Sequence, residues 1–203
     1  VFDNLQEVFK DDLIRPTCGD IDSTRSKFLV TKSSASRVTL DRKIQVRHAL
    51  LRFRFRGATE TKYFGTREKT WRQIGFKLFE ANPCNLIYVM WRIQKPEDLQ
   101  SEPESIVVAV KHNPGLTSSA KCGHHGYTEL ASWRPSVSAT DREMHLFRCQ
   151  VITNPTGATL TINVDDCDQF AVSLTTDMLT SSTGTTGLRT DNGSFIFKYF
   201  VAE

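Results

Sequence analysis

Apolar and polar residues alternate with a period of two over much of this chain, the pattern of half-buried β-strands. The clearest run is Leu51-Arg-Phe-Arg-Phe-Arg, with Leu51, Phe53 and Phe55 on one face and Arg52, Arg54 and Arg56 on the other. The C-terminal stretch repeats the theme. Phe195, Phe197 and Tyr199 share one face, and Ile196, Lys198 and Phe200 the other. Before it stands Asp191-Asn192-Gly193, where Asn-Gly predicts the positive φ angles of a tight turn. Segments 27–32, 37–41, 73–80, 144–152, 158–164 and 170–174 read as further strands. Two runs, 86–93 and 105–111, are apolar almost throughout, as expected of central strands covered on both faces. They predict a hairpin across the polar connection 95–104.

Two regions break the pattern. Phe2, Leu5, Val8 and Phe9 have helical spacing, so residues 1–26 read as a less regular N-terminal extension with a short helix or an approach to the first strand. Residues 113–135, rich in Gly, Ser and His, read as a long irregular loop, a common place for function. About ten to twelve strands with turn signals between them predict an all-β, antiparallel β-sandwich. Neither a repeat nor a linker interrupts residues 1–203, which read as one domain.

Composition narrows the partners more than the chemistry. With 26 basic and 23 acidic residues the formal net charge is +3, and the pI is about 8.6. A nucleic-acid domain more often has a pI above about 9 and a basic stripe, so no specific nucleic-acid partner is expected. No apolar run is long enough for a membrane-spanning helix. The opening VFDNLQEVFKDD is too polar for a signal peptide, and a chain starting at Val1 reads as a mature form or an excised piece.

None of the five cysteines forms a C-x-x-C pair, which disfavours a zinc ribbon or a thioredoxin-type site. Cys84 precedes one strand of the predicted hairpin and Cys122 follows the other, so the two can approach and form a disulfide. Cys149 and Cys167 flank a different hairpin at unequal offsets, which suits direct pairing poorly. Asn192-Gly193-Ser194 is a glycan acceptor only in a secreted eukaryotic protein.

Two segments carry a resemblance. Ala158-Thr-Leu-Thr-Ile-Asn-Val-Asp-Asp with Phe170-Ala-Val-Ser-Leu, and the ending Thr186-Gly-Leu-Arg-Thr-Asp-Asn-Gly-Ser-Phe-Ile-Phe, resemble the concanavalin A-like lectin and glucanase jelly rolls, of laminin-G-like or sugar-hydrolase-like type. The resemblance covers about the last third of the chain. It implies a jelly-roll sandwich within a superfold that hosts lectins, adhesion modules, glycosidases and lyases. Members that cleave β-glucans carry Glu-x-Asp-x-x-Glu on one strand, and this sequence has no such run. Retaining glycosidases need two carboxyl groups about 5–5.5 Å apart, and Glu102 and Glu104 fall in a Pro-containing loop that fixes no such spacing.

Four groups of residues are candidates for a site. Arg52, Arg54 and Arg56 form a cationic ladder suited to sulfate, carboxylate or phosphate; a solvated face paired with acids on neighbouring strands is the plainer explanation. His124 and His125, between glycines, suit metal binding or acid–base work if the loop bends, and Cys122 beside them is the one local thiol–imidazole pairing. Tyr127 and Trp133 suit stacking on a sugar ring, whereas Trp91 suits the core. Asp165, Asp166 and Asp168 cluster at a turn, where calcium is possible because oxygen-rich turns bind it and laminin-G-like relatives use a rim calcium. A non-catalytic, extracellular or cell-surface module is expected. It would recognise a glycan or cell-surface partner, preferably acidic, through the face bearing Arg52, Arg54, Arg56 and Arg92 or the loop from His112 to Trp133. The alternatives are a polysaccharide hydrolase or lyase using the loop histidines, and an assembly domain of a surface protein.

Overall fold

The computed structural model describes residues 14–18, 21–24, 27–30, 35–58, 71–93, 103–123, 125–179, 184–191 and 193–202. Numbered in chain order, seven strands form sheet A in the spatial order β1 (Ile14–Cys18), β4 (Ala35–Ile44), β13 (Gly184–Asp191), β6 (Arg72–Asn82), β7 (Asn85–Ile93), β8 (Ser105–Lys111) and β9 (Tyr127–Trp133). Sheet B runs β12 (Asp168–Thr175), β11 (Gly157–Val164), β10 (His145–Asn154), β5 (His48–Ala58), β14 (Gly193–Ala202), β3 (Lys27–Val30) and β2 (Ile21–Thr24). All pairings between them are antiparallel. The chain is the all-β sandwich that the alternation predicts, and β7 and β8 pair as the predicted hairpin.

The inward faces interlock through rings. Leu51, Phe53 and Phe55 of β5 are buried, while Arg52, Arg54 and Arg56 point away from the core. Phe53 meets Trp91 of β7 edge-on at 5.5 Å, and Phe76 of β6 stacks on Phe147 of β10 at 5.1 Å. Each such pair joins one sheet to the other. Burying one large apolar side chain stabilises the fold by about 1.5–3 kcal/mol, and a well-oriented ring pair adds about 0.5–1.5 kcal/mol. Trp91 therefore holds the core place expected of it.

The C-terminal alternation is not unbroken. A β-bulge between Phe197 and Tyr199 shifts the register of β14 against β5. A bulge inserts one unpaired residue and so reverses the facing of everything after it. Phe200, expected opposite Phe195 and Phe197, instead joins them in the core. The turn before β14 also differs from a hairpin: β13 lies in sheet A and β14 in sheet B, so the chain crosses the sandwich there. Asn192 lies outside the described residues. At Gly193 the visible requirement is space, since a Cβ would sit 2.7 Å from Cε2 of Phe195.

Three other expectations are corrected or fall outside. The region read as a loop over 113–135 ends in strand β9, on the edge of sheet A, which includes Tyr127 and Trp133. Its sequence YTELASW is polar because an edge strand need bury only one side. Within the extension read as irregular, 14–18 and 21–24 are strands on the edges of sheets A and B. The helical spacing over 2–12 lies outside the described residues, as does His124.

Cys84 and Cys122 form a disulfide, with their Cα atoms 5.8 Å apart, a separation usual for such a bond. It ties the β6–β7 turn to a short helical turn, Ser119–Cys122, in the segment leading to β9. The bond occupies the Cys122 sulfur, so the Cys122–histidine nucleophile is excluded in this oxidised state. Cys149 and Cys167 do not pair. Burial pushes the Cys149 thiol up to about 12, and Cys167 is exposed.

Candidate functional site

Arg92 does not share a face with the arginine ladder. On β7, Ile87, Val89, Trp91 and Ile93 enter the core, which turns Tyr88, Met90 and Arg92 to the outer face of sheet A. Arg52, Arg54 and Arg56 lie on the outer face of sheet B, across the thickness of the sandwich. Period-two alternation assigns each residue to a side of its strand but not to a sheet.

The outer face of sheet A carries a dense polar cluster. The register aligns Lys77 of β6 with Tyr88 of β7, and Lys111 of β8 with Tyr127 of β9. Arg189 of β13 lies opposite Gly75 of β6, which pairs in turn with Met90 of β7. A Cβ at Gly75 would fall 2.0 Å from the Val89 carbonyl oxygen, so only glycine fits. Across this bare position Arg189 spans β6. Its guanidinium lies 4.7 Å from the centre of the Tyr88 ring, and its Nη1 donates to the Tyr127 hydroxyl at 3.0 Å. The Tyr88 and Tyr127 rings stack at 5.6 Å. Lys111 Nζ lies 5.1 Å from the Tyr127 ring centre and donates to the Gly123 carbonyl at 2.8 Å.

Among the described side chains, the acids on this face are already matched to cations. Asp191 Oδ2 accepts from Arg189 Nε at 2.8 Å and from Gln73 Nε2 at 2.5 Å. Glu80 pairs with the buried Lys77 at 2.7 Å, and Thr39 accepts a second Lys77 hydrogen bond at 2.7 Å. Glu129 pairs with Arg92 at 2.7 Å, and the Arg92 guanidinium lies 5.2 Å from the Trp71 ring centre. Lys77, Lys111, Tyr88 and Met90 are buried, although they lie on an outer face. Tyr127, at 38% exposure, is the most accessible ring of the cluster.

The electrostatics follow from burial against neighbours. Burial lowers the Lys77 and Lys111 ammoniums, only partly offset by Glu80 at the first and Tyr127 at the second. Burial raises the Tyr88 phenol strongly. At Tyr127 burial also acts upward, but the Arg189 charge, the Tyr88 and Arg189 hydrogen bonds and the Lys111 charge together outweigh it, so the phenol is lowered. A phenol with a depressed value ionises before an ordinary tyrosine at about 10. Its ionisation adds stability to the fold as pH rises through the lowered value, and that contribution is complete above the ordinary one. A near-ultraviolet titration of the native chain should therefore show one early tyrosine step, absent in Tyr127→Phe. An unchanged early step in that variant would refute the assignment.

The other sequence candidates are spread apart. His125 is exposed; its backbone N–H donates to the Cys122 carbonyl and its own carbonyl accepts from Asn113 Nδ2. Trp133 is half-buried and stacks on Phe170 of β12 at 5.2 Å, closing one side of the sandwich against the core. Asp165, Asp166 and Asp168 turn to three different partners. Asp165 accepts from the backbone N–H of Leu146 and faces His145, Asp166 pairs with Arg148 at 2.6 Å, and Asp168 accepts from Ser136 N and Oγ. Among the described residues no group of three His, Cys, Asp or Glu side chains is arranged to hold a metal ion. No described helix is long and apolar enough to cross a membrane.

Arg189, Lys111, Lys77, Asp191 and Gln73 were not singled out in the sequence. They come from three strands far apart in the chain, β6, β8 and β13, and only the register brings them together. The one local hint was Arg189 alternating with the buried Leu188 in the Gly184–Asp191 strand.

Comparison with solved structures identifies the class. A carbohydrate-binding module, CBM66 from Bacillus subtilis, superposes with a TM-score of 0.63 at 9% identity over 94% of this chain and 95% of the module. Lotus tetragonolobus seed lectin gives a TM-score of 0.55 at 10% identity over 95% of each chain. A Bacteroides ovatus GH16 mixed-linkage glucan protein gives 0.53 at 10% identity over 90% of this chain and 84% of its own. The fold is thus the concanavalin A-like jelly roll. No protein-family model matches the sequence, and comparison with curated proteins gives no match.

Proposed function

We propose that the chain is a non-catalytic glycan-recognition module that receives a saccharide on the outer face of sheet A. The observation that carries this reading is the placement of Tyr127. It is an accessible ring on the sheet edge, backed by Tyr88 and flanked by Arg189 and Lys111. An aromatic face accepts the apolar C–H side of a sugar ring, while guanidinium and ammonium groups hydrogen-bond hydroxyl or carboxylate oxygens. Arg92 and Glu129 supply a further donor and acceptor beside Trp71. The excess of cations favours a ligand with acidic groups.

Carbohydrate-binding modules and lectins among the structural likenesses support this reading, although identities near 10% carry the fold alone. The GH16 likeness keeps a hydrolase as the rival. Against the rival, each described acid on this face is held in an ion pair, which disfavours the raised pKa of a general acid. The disulfide favours an oxidising, extracellular setting. A glycan array, run with and without a calcium chelator, tests the reading. Expected are hits that persist under chelation and weaken at least about tenfold in Tyr127→Ala, the loss of roughly one well-made stacking contact. A blank array would leave an assembly domain in front, and turnover of a bound glycan would establish the hydrolase.

A further inference from the structure

A ladder of like charges on an outer strand is ordinary when acids on the neighbouring strands face it, and the register here supplies none. Arg52 stands between Leu146 of β10 and Tyr199 of β14, and across from Arg54 stands Ile196 of β14. Arg56 occupies a β-bulge, the extra residue between the pairs Ser194–Gly57 and Phe195–Phe55. On its other side β5 runs free of β10 beyond the His145–Phe53 pair. Among the described residues, none of the three guanidiniums has an acid partner, and Arg54 and Arg56 are exposed. Arg148, on the same face, has its own acid in Asp166.

We infer that this face of sheet B is a second binding surface, for an anionic polysaccharide bearing sulfate or carboxylate groups on successive sugars. The inference stands apart from the reading of sheet A, since it uses the opposite side of the sandwich. Alternate residues of a strand are spaced by roughly 6.6–6.8 Å. Arg52 and Arg54 repeat at that interval and Arg56 follows in the bulge, a series of guanidiniums that suits a linear chain with repeated charge. Each guanidinium offers a planar fork of donors that matches sulfate or carboxylate oxygens two at a time. Leu146 and Ile196 beside the row give apolar contact for sugar rings and bring no competing acid. An unpaired row also repels itself in the free protein, and a polyanion relieves that repulsion on binding.

Nucleic acid fits this face less well. The net charge of +3 and pI of about 8.6 are low for a nucleic-acid domain.

The test uses heparin as the sulfated probe, polygalacturonate as the carboxylate probe and duplex DNA as the competing polyanion. Binding of each to the whole chain is measured across a salt series. The triple variant Arg52→Gln, Arg54→Gln, Arg56→Gln should bind the preferred polysaccharide at least about tenfold more weakly. Its slope of log affinity against log salt should fall by about two to three, close to one for each lost ionic contact. Arg54→Lys keeps the charge and loses the fork, so it should fall between wild type and the triple variant. These side chains point away from the core, so circular dichroism and the melting temperature should stay near wild type. Which probe binds tighter identifies sulfate or carboxylate as the partner group. A triple variant that binds like wild type overturns the inference. Loss of polysaccharide binding in Tyr127→Ala instead of the triple variant overturns it by moving the polyanion to sheet A. Duplex DNA bound at least as tightly as either polysaccharide at the same salt replaces the polysaccharide by nucleic acid.

Discussion

Arg189→Met should destabilise the fold by about 3–5 kcal/mol, the usual cost of removing one partner from a buried ion pair. The Arg189 and Asp191 side chains are 12% and 6% exposed, so little water can replace the lost guanidinium. Burial alone would lower the Arg189 guanidinium, but Asp191, Tyr88 and Tyr127 hold it well above its ordinary value. Without it, Asp191 keeps only the Gln73 amide, and Tyr127 loses its strongest stabilising charge. Adding Asp191→Asn removes the stranded charge and keeps an acceptor for Gln73. The double variant should therefore regain most of the loss, a coupling that a denaturant-based double-mutant cycle measures. The same single variant should move the early tyrosine step upward, a readout that a packing defect alone would not give. A loss below about 1 kcal/mol would mean that the pair behaves like an exposed salt bridge.

His145→Ala should produce a loss of similar size at the far corner of the sandwich. His145 is buried and packs edge-on against Trp91 at 5.1 Å, with Phe53 at 5.9 Å. Its Nδ1 faces Asp165 Oδ2 at 2.6 Å and its Nε2 faces Asp141 Oδ1 at 2.9 Å. Each ring nitrogen thus has a carboxylate within hydrogen-bonding distance. The ring thereby ties the β11–β12 turn to the 3-10 turn Ala139–Asp141, whose Ala139 N–H donates to Glu104. Truncation opens a cavity beside Trp91 and leaves two carboxylates without their shared partner. Chemical denaturation should show a loss of about 3–5 kcal/mol. His145→Gln fills part of the space but cannot serve both acids, so its loss should be smaller. Equal stability of all three proteins would show that the two contacts contribute nothing.

These two sites show where sequence reading stops. His145 carries no local signal of its role, because nothing in its neighbourhood specifies Asp141 four residues away and Asp165 across a hairpin. The acidic turn 165–168 was visible, but its three carboxylates differ in direction. Asp165 and Asp166 both take left-handed backbone angles, with φ of 50° and 59°. Such angles turn successive side chains apart, and the turn spends its oxygens on His145, Arg148 and Ser136.

The sequence by itself determined the sandwich, most of its central strands and the inward face of β5, because period-two burial is a local property written in consecutive residues; the edge strands β1, β2 and β9 did not show it. It also allowed the Cys84–Cys122 disulfide, which the structure forms, since the β7–β8 hairpin brings its two ends together. Only the tertiary structure decided which residues share a surface. Arg92 and Arg52 read as members of one cationic face, yet they lie on opposite sheets. Arg189 and Tyr127, 62 residues apart, meet because strand order and a bare Gly75 let one side chain cross a neighbouring strand. Bulges decided the rest. One extra residue in β14 carried Phe200 into the core, and one in β5 set Arg56 out of the ladder. Strand order, sheet membership and bulges depend on the packing of the whole chain, and no window of consecutive residues contains them.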